Sequence, residues 1–532
     1  MRTNEPNRRA SYAVAIAIST AAGALCAAPA VAQTASEAQC RPDDIPQDAL
    51  RYWRSLRLDL TGQPPTFEEY EAIRAAGEVA PERIRALLDS EGFVERVQRH
   101  HRALLWNNID NVDLYSFRTF LVRDRRGGEV YWLPSRSDQY RGARVPCRDE
   151  PATFDEQGQP VTVEDAGARR EGWVEVEPYW APDQTIKVCA FDAQTRAIST
   201  RGTDCSGGGA FRDPGCGCGP DLMWCRAGAN RAVHRAFAED VERRIGRVIR
   251  EGRPYTEIFT SNVAYVNGPA SFYLRHQRAL TQGVSFEPVP YRDELLPDLD
   301  YTDVDTWVEI QLDDGHAGVL TSPAYLLRFQ TNRARANRFY DSFLCQPFTP
   351  PPGGLPVADP EALAQPDLQK RDGCKYCHAI LEPAAAHWGR WAQQGTGFLD
   401  PADYPAFRAD CEACAQSGER CSRACRENYI TRPLTTAEEA YVGQLYAYQF
   451  LKPEHFDHVE GGPRLLVQQA VVDDRFSGCV AQRTGESLLG RPLTEDERTQ
   501  VDAWSRVFAQ SGFDYRALVE SIVTSDVYRR VQ

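Results

Sequence analysis

The placement of the cysteines restricts this chain more than any other feature. Sixteen occur in 532 residues, twelve of them in three groups. Six lie in residues 126–225: Cys147, Cys189, Cys205, Cys216, Cys218 and Cys225. Four form the run Cys411-x-x-Cys414-x6-Cys421-x3-Cys425, and two belong to Gly373-Cys374-Lys375-Tyr376-Cys377-His378. That last stretch reads C-x-x-C-H, the attachment pattern for a c-type haem. Two thiols two residues apart reach the two vinyl groups on one porphyrin edge, and the next residue offers an imidazole nitrogen to the iron. The expectation is one covalent haem c, with Cys374 and Cys377 as thioether anchors and His378 as axial ligand. The competing reading is a Cys374–Cys377 disulfide with an incidental histidine beside it.

The N-terminus agrees with export to a compartment where haem is attached and disulfides persist. Arg2, Arg8 and Arg9 precede an apolar run from Tyr12 to Ala28, and Ala30-Val31-Ala32 is an A-x-A cleavage site. Residues 1–32 are read as a signal peptide, and a periplasmic or secreted location follows. No later stretch reaches about 18 continuous apolar residues, so no membrane span is expected. The formal charge is −14, and losing the leader's three arginines and one glutamate takes it to −16. That acidity argues against nucleic acid or an anionic membrane as partner. It would suit a basic redox partner protein, though simple solubility is the plainer reading. Only Met1 and Met223 exist, and Met1 leaves with the leader, so a His/Met haem has Met223 alone to draw on. Bis-His ligation or an open distal position is the better expectation.

The remaining chain divides by texture. Residues 33–125 read as an N-terminal helical domain. Thr66 and Glu69 form a capping box, and a second helix is expected over about Pro81 to Trp106, with His100 and His101 inside it. Residues 126–225 are rich in Gly, Asp and Pro with short β-prone runs (Val130-Tyr131-Trp132; Thr185-Ile186-Lys187-Val188). Six cysteines in such a stretch imply as many as three disulfides; a metal grip at Cys216-Gly217-Cys218-Gly219 is the alternative. Residues 226–345 return to helix, with an apolar stripe from Val233 to Ile249, and carry Arg333, Arg335 and Arg338 as candidate partners for haem propionates, a solvated helix face being the plainer reading. Residues 346–410 hold a Pro-rich lead and the haem segment. A backbone carbonyl near Pro383 is expected to accept the Nδ1–H of His378. Residues 411–532 hold the second cysteine cluster, read as two disulfides rather than a zinc site, followed by helices whose starts at Thr435/Glu438 and Thr494/Glu497 are capping boxes. Sixteen cysteines less Cys26 and the two haem thiols leave thirteen, an odd number, so one stays free or pairs between chains. The expected fold is mainly α: a multi-helix protein with a c-type haem segment and a disulfide-stapled, β-rich insertion.

Four segments resemble the large secreted c-type cytochromes of planctomycetes and myxobacteria, which are built from domains of unknown function. They are Leu58–Thr66 (Leu-Thr-Gly-x-Pro-Pro), Gly318–Thr321, Cys345 with Pro350–Pro352 and Cys374–His378, and Tyr515–Ser525. The resemblance covers roughly three-fifths of the chain and leaves out the 126–225 insertion and the 411–425 cluster. It implies a haem protein and no particular reaction. The family's Met-Asp-Pro after the haem histidine is here Leu381-Glu382-Pro383. His100 falls where the family's N-terminal helix commonly carries a histidine, which makes it the first candidate for the second axial ligand.

Three functions follow as expectations. The first is electron transfer by one covalently held haem. The second is a haem enzyme of peroxidase or oxygenase type with an open distal site, where His316 or His100 serves as acid–base group. The third is a secreted structural or polymer-binding protein, with Trp132, Trp173 and Trp180 of the insertion as contact residues. No Gly-rich phosphate loop, nucleophile elbow or hydrolase triad pattern is present.

Overall fold

The computed structural model describes residues 46–530 except 127, 228–230, 351–352, 356–359 and 361–363. The expected signal peptide, Cys26, Cys40 and Pro351–Pro352 of the Pro-rich lead lie outside the described residues.

Helix dominates. Four helices open the described chain: α1 (Ala49–Thr61), α2 (Phe67–Ala76), α3 (Pro81–Leu88) and α4 (Glu91–Leu105). The capping box at α2 forms as read: the Thr66 amide donates to Glu69 at 2.9 Å, and the Glu69 amide donates to Thr66 Oγ1 at 3.2 Å. The single helix expected over Pro81–Trp106 is two. Ser90 stops the first and caps the second, its Oγ accepting the Phe93 amide. A short polar side chain that can bond nearby backbone competes with helix continuation, and the apolar periodicity ran on across the break because both helices bury the same side. Tyr52, Leu56, Leu60, Phe93, Val94 and Val97 are buried there.

The longest helix, α5 (Ala232–Arg250), buries Val233, Phe237, Val241, Ile245, Val248 and Ile249, the stripe seen in the sequence. It packs on α4. Next come α6 (Asn332–Phe343), α7 (Lys375–Ala385), α8 (Phe456–Val472), α9 (Asp474–Leu489), α10 (Val501–Gln510) and α11 (Tyr515–Val523). One continuous apolar core joins the two ends of the chain: Tyr52 and Trp53 of α1 share it with Leu518, Val519 and Ile522 of α11. Leu381, Ala384 and Ala385 of α7 are part of the same core. The C-terminal capping box at Thr494/Glu497 forms on both limbs; at Thr435, the amides of Leu434 and Thr435 donate to the Glu438 carboxylate.

The insertion carries most of the sheet. The strands are β1 (Phe120–Arg123) and β7 (Arg226–Ala227), which flank its 126–225 bounds, and within it β2 (Tyr131–Trp132), β3 (Val163–Asp165), β4 (Ala168–Arg170), β5 (Trp173–Val176) and β6 (Ile186–Cys189). Five form one sheet in the order β5-β6-β2-β1-β7, and β3 pairs with β4. Three disulfides staple it: Cys147–Cys189, Cys205–Cys216 and Cys218–Cys225. Cys216 and Cys218 are therefore each bonded elsewhere and do not form a metal grip. Arg141 is fully buried between the carboxylates of Glu171 (2.5 Å) and Asp192 (3.0 Å). Such a cluster fixes one arrangement, because an unpaired charge left in that interior is costly. A further strand pair, β8 (Val263–Val266) with β9 (Val308–Gln311), lies within the helical part and had no expectation in the sequence.

Cys411–Cys425 and Cys414–Cys421 form the two disulfides expected of the second cluster, around a small core of Leu399, Tyr429, Leu445 and Tyr448. Cys345–Cys479 is the sixth bond. Among the described residues no helix is long and apolar enough to cross a membrane.

Candidate functional site

The C-x-x-C-H segment lies at the start of α7. Gly373, at φ +80°, turns the chain into the helix, a conformation that costs glycine nothing. Cys374 occupies the position just before the first helical residue, without a side-chain capping bond. Cys377, His378, Leu381 and Glu382 then follow at helical spacing, so both thiols and the imidazole share one side. Leu381 is buried, while Cys374 and Cys377 are partly exposed. These two are the only free cysteines among the described residues. The other twelve described cysteines are all paired. The Cys374–Cys377 disulfide of the competing reading is absent. Cys40, the remaining cysteine after the expected signal peptide, accounts for the odd count and lies outside the described residues.

One helical turn on, the Glu382 carboxylate accepts the Nδ1–H of His378. Arg333 of α6 holds the same carboxylate with two bonds, Nε to Oε1 at 2.7 Å and Nη2 to Oε2 at 3.2 Å. The partner of His378 is thus a carboxylate, where a backbone carbonyl was expected. The Pro383 carbonyl is engaged otherwise: His458 of α8 donates Nδ1–H to it at 2.8 Å. With Nδ1 protonated, the lone pair of His378 is on Nε2, the atom left to meet a metal. Beside the thiols, Tyr376 and Ile380 expose apolar side chains, at 55 % and 43 %.

The three arginines of α6 part company. Arg333 faces Glu382. Arg335 is fully buried and donates to the carbonyls of Phe329, Ala392 and Gly395 at 2.9–3.0 Å. Arg338 donates to Ala103 and Leu104 carbonyls, tying α6 to α4. The last two hold the fold together; of the three, only Arg333 is on the side of α7.

His100 lies in a separate cavity of about 220 Å³, with Asp59, Phe93, Arg96, Leu488 and Tyr515. That cavity contains no residue of the C-x-x-C-H segment. Burial, with the neighbouring His101, Arg483 and Arg96, pushes His100 down to about 3, so its ring is neutral. His101 is buried between the Val97 carbonyl and the Tyr255 hydroxyl, a core histidine. His316 is buried against Trp391 and Tyr291. Met223 packs within the insertion, against the small cluster of Cys205, Cys216 and Trp224.

Two features escaped the sequence reading. His387, His455 and His458 gather at the far end of α7, with His387 stacked on His458 at 4.2 Å and His455 5.1 Å from His458. His387, in the turn that follows α7, donates Nδ1–H to the Gly462 carbonyl at 2.9 Å, so the two stacked histidines tie the end of α7 and that turn to α8 in both directions. Their separation of about seventy residues hid the pairing. The second feature is a cleft of about 730 Å³ whose wall includes Arg333, Glu382, Trp391, Gln394, Tyr446 and Gln449.

Residues 462–528 match the model of a family described as a protein of unknown function (DUF1585). The matched stretch runs from the second half of α8 through α11, and includes Cys479 and the Tyr515–Val523 helix on which part of the resemblance rests. It is roughly an eighth of the chain and lies beyond the C-x-x-C-H segment. No curated protein and no solved structure matches the chain.

Proposed function

We propose that this chain is an exported monohaem c-type cytochrome that passes electrons to a partner protein. The observation that carries the reading is the state of the cysteines. In a chain whose other described cysteines all pair, Cys374 and Cys377 alone stay reduced, side by side and partly exposed, with His378 next to them. The donor set fits a covalent haem. Two thiols stand ready for thioether bonds, the imidazole has its Nδ1–H taken up by Glu382, and Tyr376 and Ile380 expose apolar surface that a porphyrin edge would cover. Bound there, a haem c supplies a one-electron iron couple, tuned by its axial ligands and by burial. Cys374 and Cys377 would hold it and His378 would ligate it. Six disulfides, the leader pattern and the resemblance together support a periplasmic or secreted site of action.

His100 as second ligand would have to reach the iron from a cavity that holds no residue of the C-x-x-C-H segment, which leaves the second ligand as the point on which the chemistry turns. A second reading, a haem enzyme with an open sixth position, draws support from the cleft beside Glu382.

The test is a reduced-minus-oxidised visible spectrum of protein exported together with haem-attachment machinery, with and without carbon monoxide. Haem bands that survive denaturing electrophoresis, and vanish in Cys374→Ser/Cys377→Ser, are expected. A spectrum indifferent to carbon monoxide supports electron transfer through a six-coordinate iron; a prompt shift moves the enzyme reading ahead. Absence of haem bands in the parent returns the chain to a secreted structural or polymer-binding role.

A further inference from the structure

We propose that Glu382 and Arg333 are positioning residues that set the electron donation of His378, and through it the reduction potential of the site. The inference rests on the haem reading above.

Three observations place the pair. Glu382 is one turn from His378 on the same helix and takes its Nδ1–H. Arg333 reaches from α6 and grips that carboxylate with both Nε and Nη2. The nearby carbonyl that could have taken the role, that of Pro383, is occupied by His458. A carboxylate draws the imidazole proton more strongly than a neutral carbonyl and makes the ring a better donor to iron, which favours the oxidised metal. The guanidinium opposes this by drawing off part of the carboxylate charge. The pair therefore acts as two opposed adjustments of one ligand. The bland account is a surface ion pair: Arg333 is half-exposed, and such pairs contribute little to stability. The two accounts differ in what they move, because a surface ion pair leaves the metal potential alone.

The experiment uses the full-length holoprotein. Midpoint potential, covalent haem content and thermal midpoint are measured for the parent, Glu382→Gln, Glu382→Asp, Arg333→Gln and Arg333→Lys. Glu382→Gln is expected to raise the potential and Arg333→Gln to lower it, with Glu382→Asp and Arg333→Lys lying closer to the parent. Thermal midpoints stay close together throughout. Potentials that coincide across the set, with haem attached, overturn the inference. A parent without covalent haem overturns the haem reading instead, so the two failures are distinguishable. Should Glu382→Gln not load haem, nitrogen NMR of His378 in the haem-free Cys374→Ser/Cys377→Ser chain at mildly alkaline pH decides. The Nδ1-protonated tautomer is expected while Glu382 is present, and a mixture of tautomers once Glu382→Gln is added. The Nε2-protonated form in the chain that keeps Glu382 overturns the positioning role.

Discussion

Cys345, at the end of α6 and the head of the segment that leads to α7, is bonded to Cys479 on α9, 134 residues further along the chain. The bond closes the loop that contains the C-x-x-C-H helix, much of the cleft wall and the second disulfide cluster. A cross-link removes more freedom from the unfolded chain as its loop grows. Cys345→Ser/Cys479→Ser is expected to lose about 2–5 kcal/mol, read from urea unfolding under non-reducing conditions. The separate pair Cys414→Ser/Cys421→Ser, which closes a separation of only 7 residues, is expected to cost less. Equal losses would show that the long loop is already restrained without its bond.

Reactive thiols provide the second check. Haem-free protein, denatured without reductant, is expected to take up alkylating agent on the peptide bearing Cys374 and Cys377, while the twelve paired cysteines label only after reduction. Cys40 is left aside by mapping peptides rather than counting total thiol. In holoprotein the same peptide is expected to be unlabelled and heavier by one haem. Labelling of Cys411, Cys414, Cys421 or Cys425 before reduction would contradict the disulfide cluster.

What the sequence revealed, and what it hid, follows from how local each feature is. Capping at Thr66 and Thr494 was legible because the chemistry spans three residues, and the cysteine groups were legible as disulfide-forming from their even counts, while their pairing, such as Cys147 with Cys189 across 42 residues, was not. The break at Ser90 was not, since both helices bury the same face and periodicity passes over the gap. Glu382 was visible only as a departure from Met-Asp-Pro; its role depends on Arg333, 49 residues earlier. The same holds for His387 and His458, whose pairing through Pro383 and Gly462 is a tertiary fact. His100 is the opposite case, singled out by resemblance and found in a cavity without the C-x-x-C-H segment.

Gly318, in a segment that carries part of the resemblance, has a purely steric reason to be glycine. Its φ is +48°, and a Cβ there would stand 2.0 Å from the Ile258 carbonyl oxygen. Its amide donates to Ser261 and its carbonyl accepts from Arg244, so the backbone has no room to move aside. Gly283 also has a positive φ, +79°, but open space around it. Gly283→Ala is expected to cost only the left-handed strain, about 1–2 kcal/mol. Gly318→Ala adds a backbone clash and is expected to cost more than about 3 kcal/mol, or to prevent folding. Similar unfolding midpoints for the two variants would mean that the Ile258 turn yields.

Acid should unlatch α8 from α7. Burial pushes His387 down to about 3, the neighbouring His458 and His455 add to this, and the bond to Gly462 opposes it. Burial likewise takes His316 to about 3 and His101 to about 4. In the unfolded chain each titrates near 6.5. As pH falls below 6.5 the unfolded state takes up protons that the folded state refuses, so their contribution is complete above 6.5 and is lost progressively down to the folded values. Each group steepens the decline by up to about 1.4 kcal/mol per pH unit. His387→Asn keeps a donor near the Gly462 carbonyl but cannot titrate. It is expected to lower stability at neutral pH modestly, through lost stacking on His458, and to flatten the decline between pH 6.5 and about 4 by one proton's share. Urea midpoints across that range, parent against variant, read the difference. Parallel declines would place the acid sensitivity in the other histidines held down by burial, His100, His101 and His316 among them, and leave the latch to its hydrogen bonds alone.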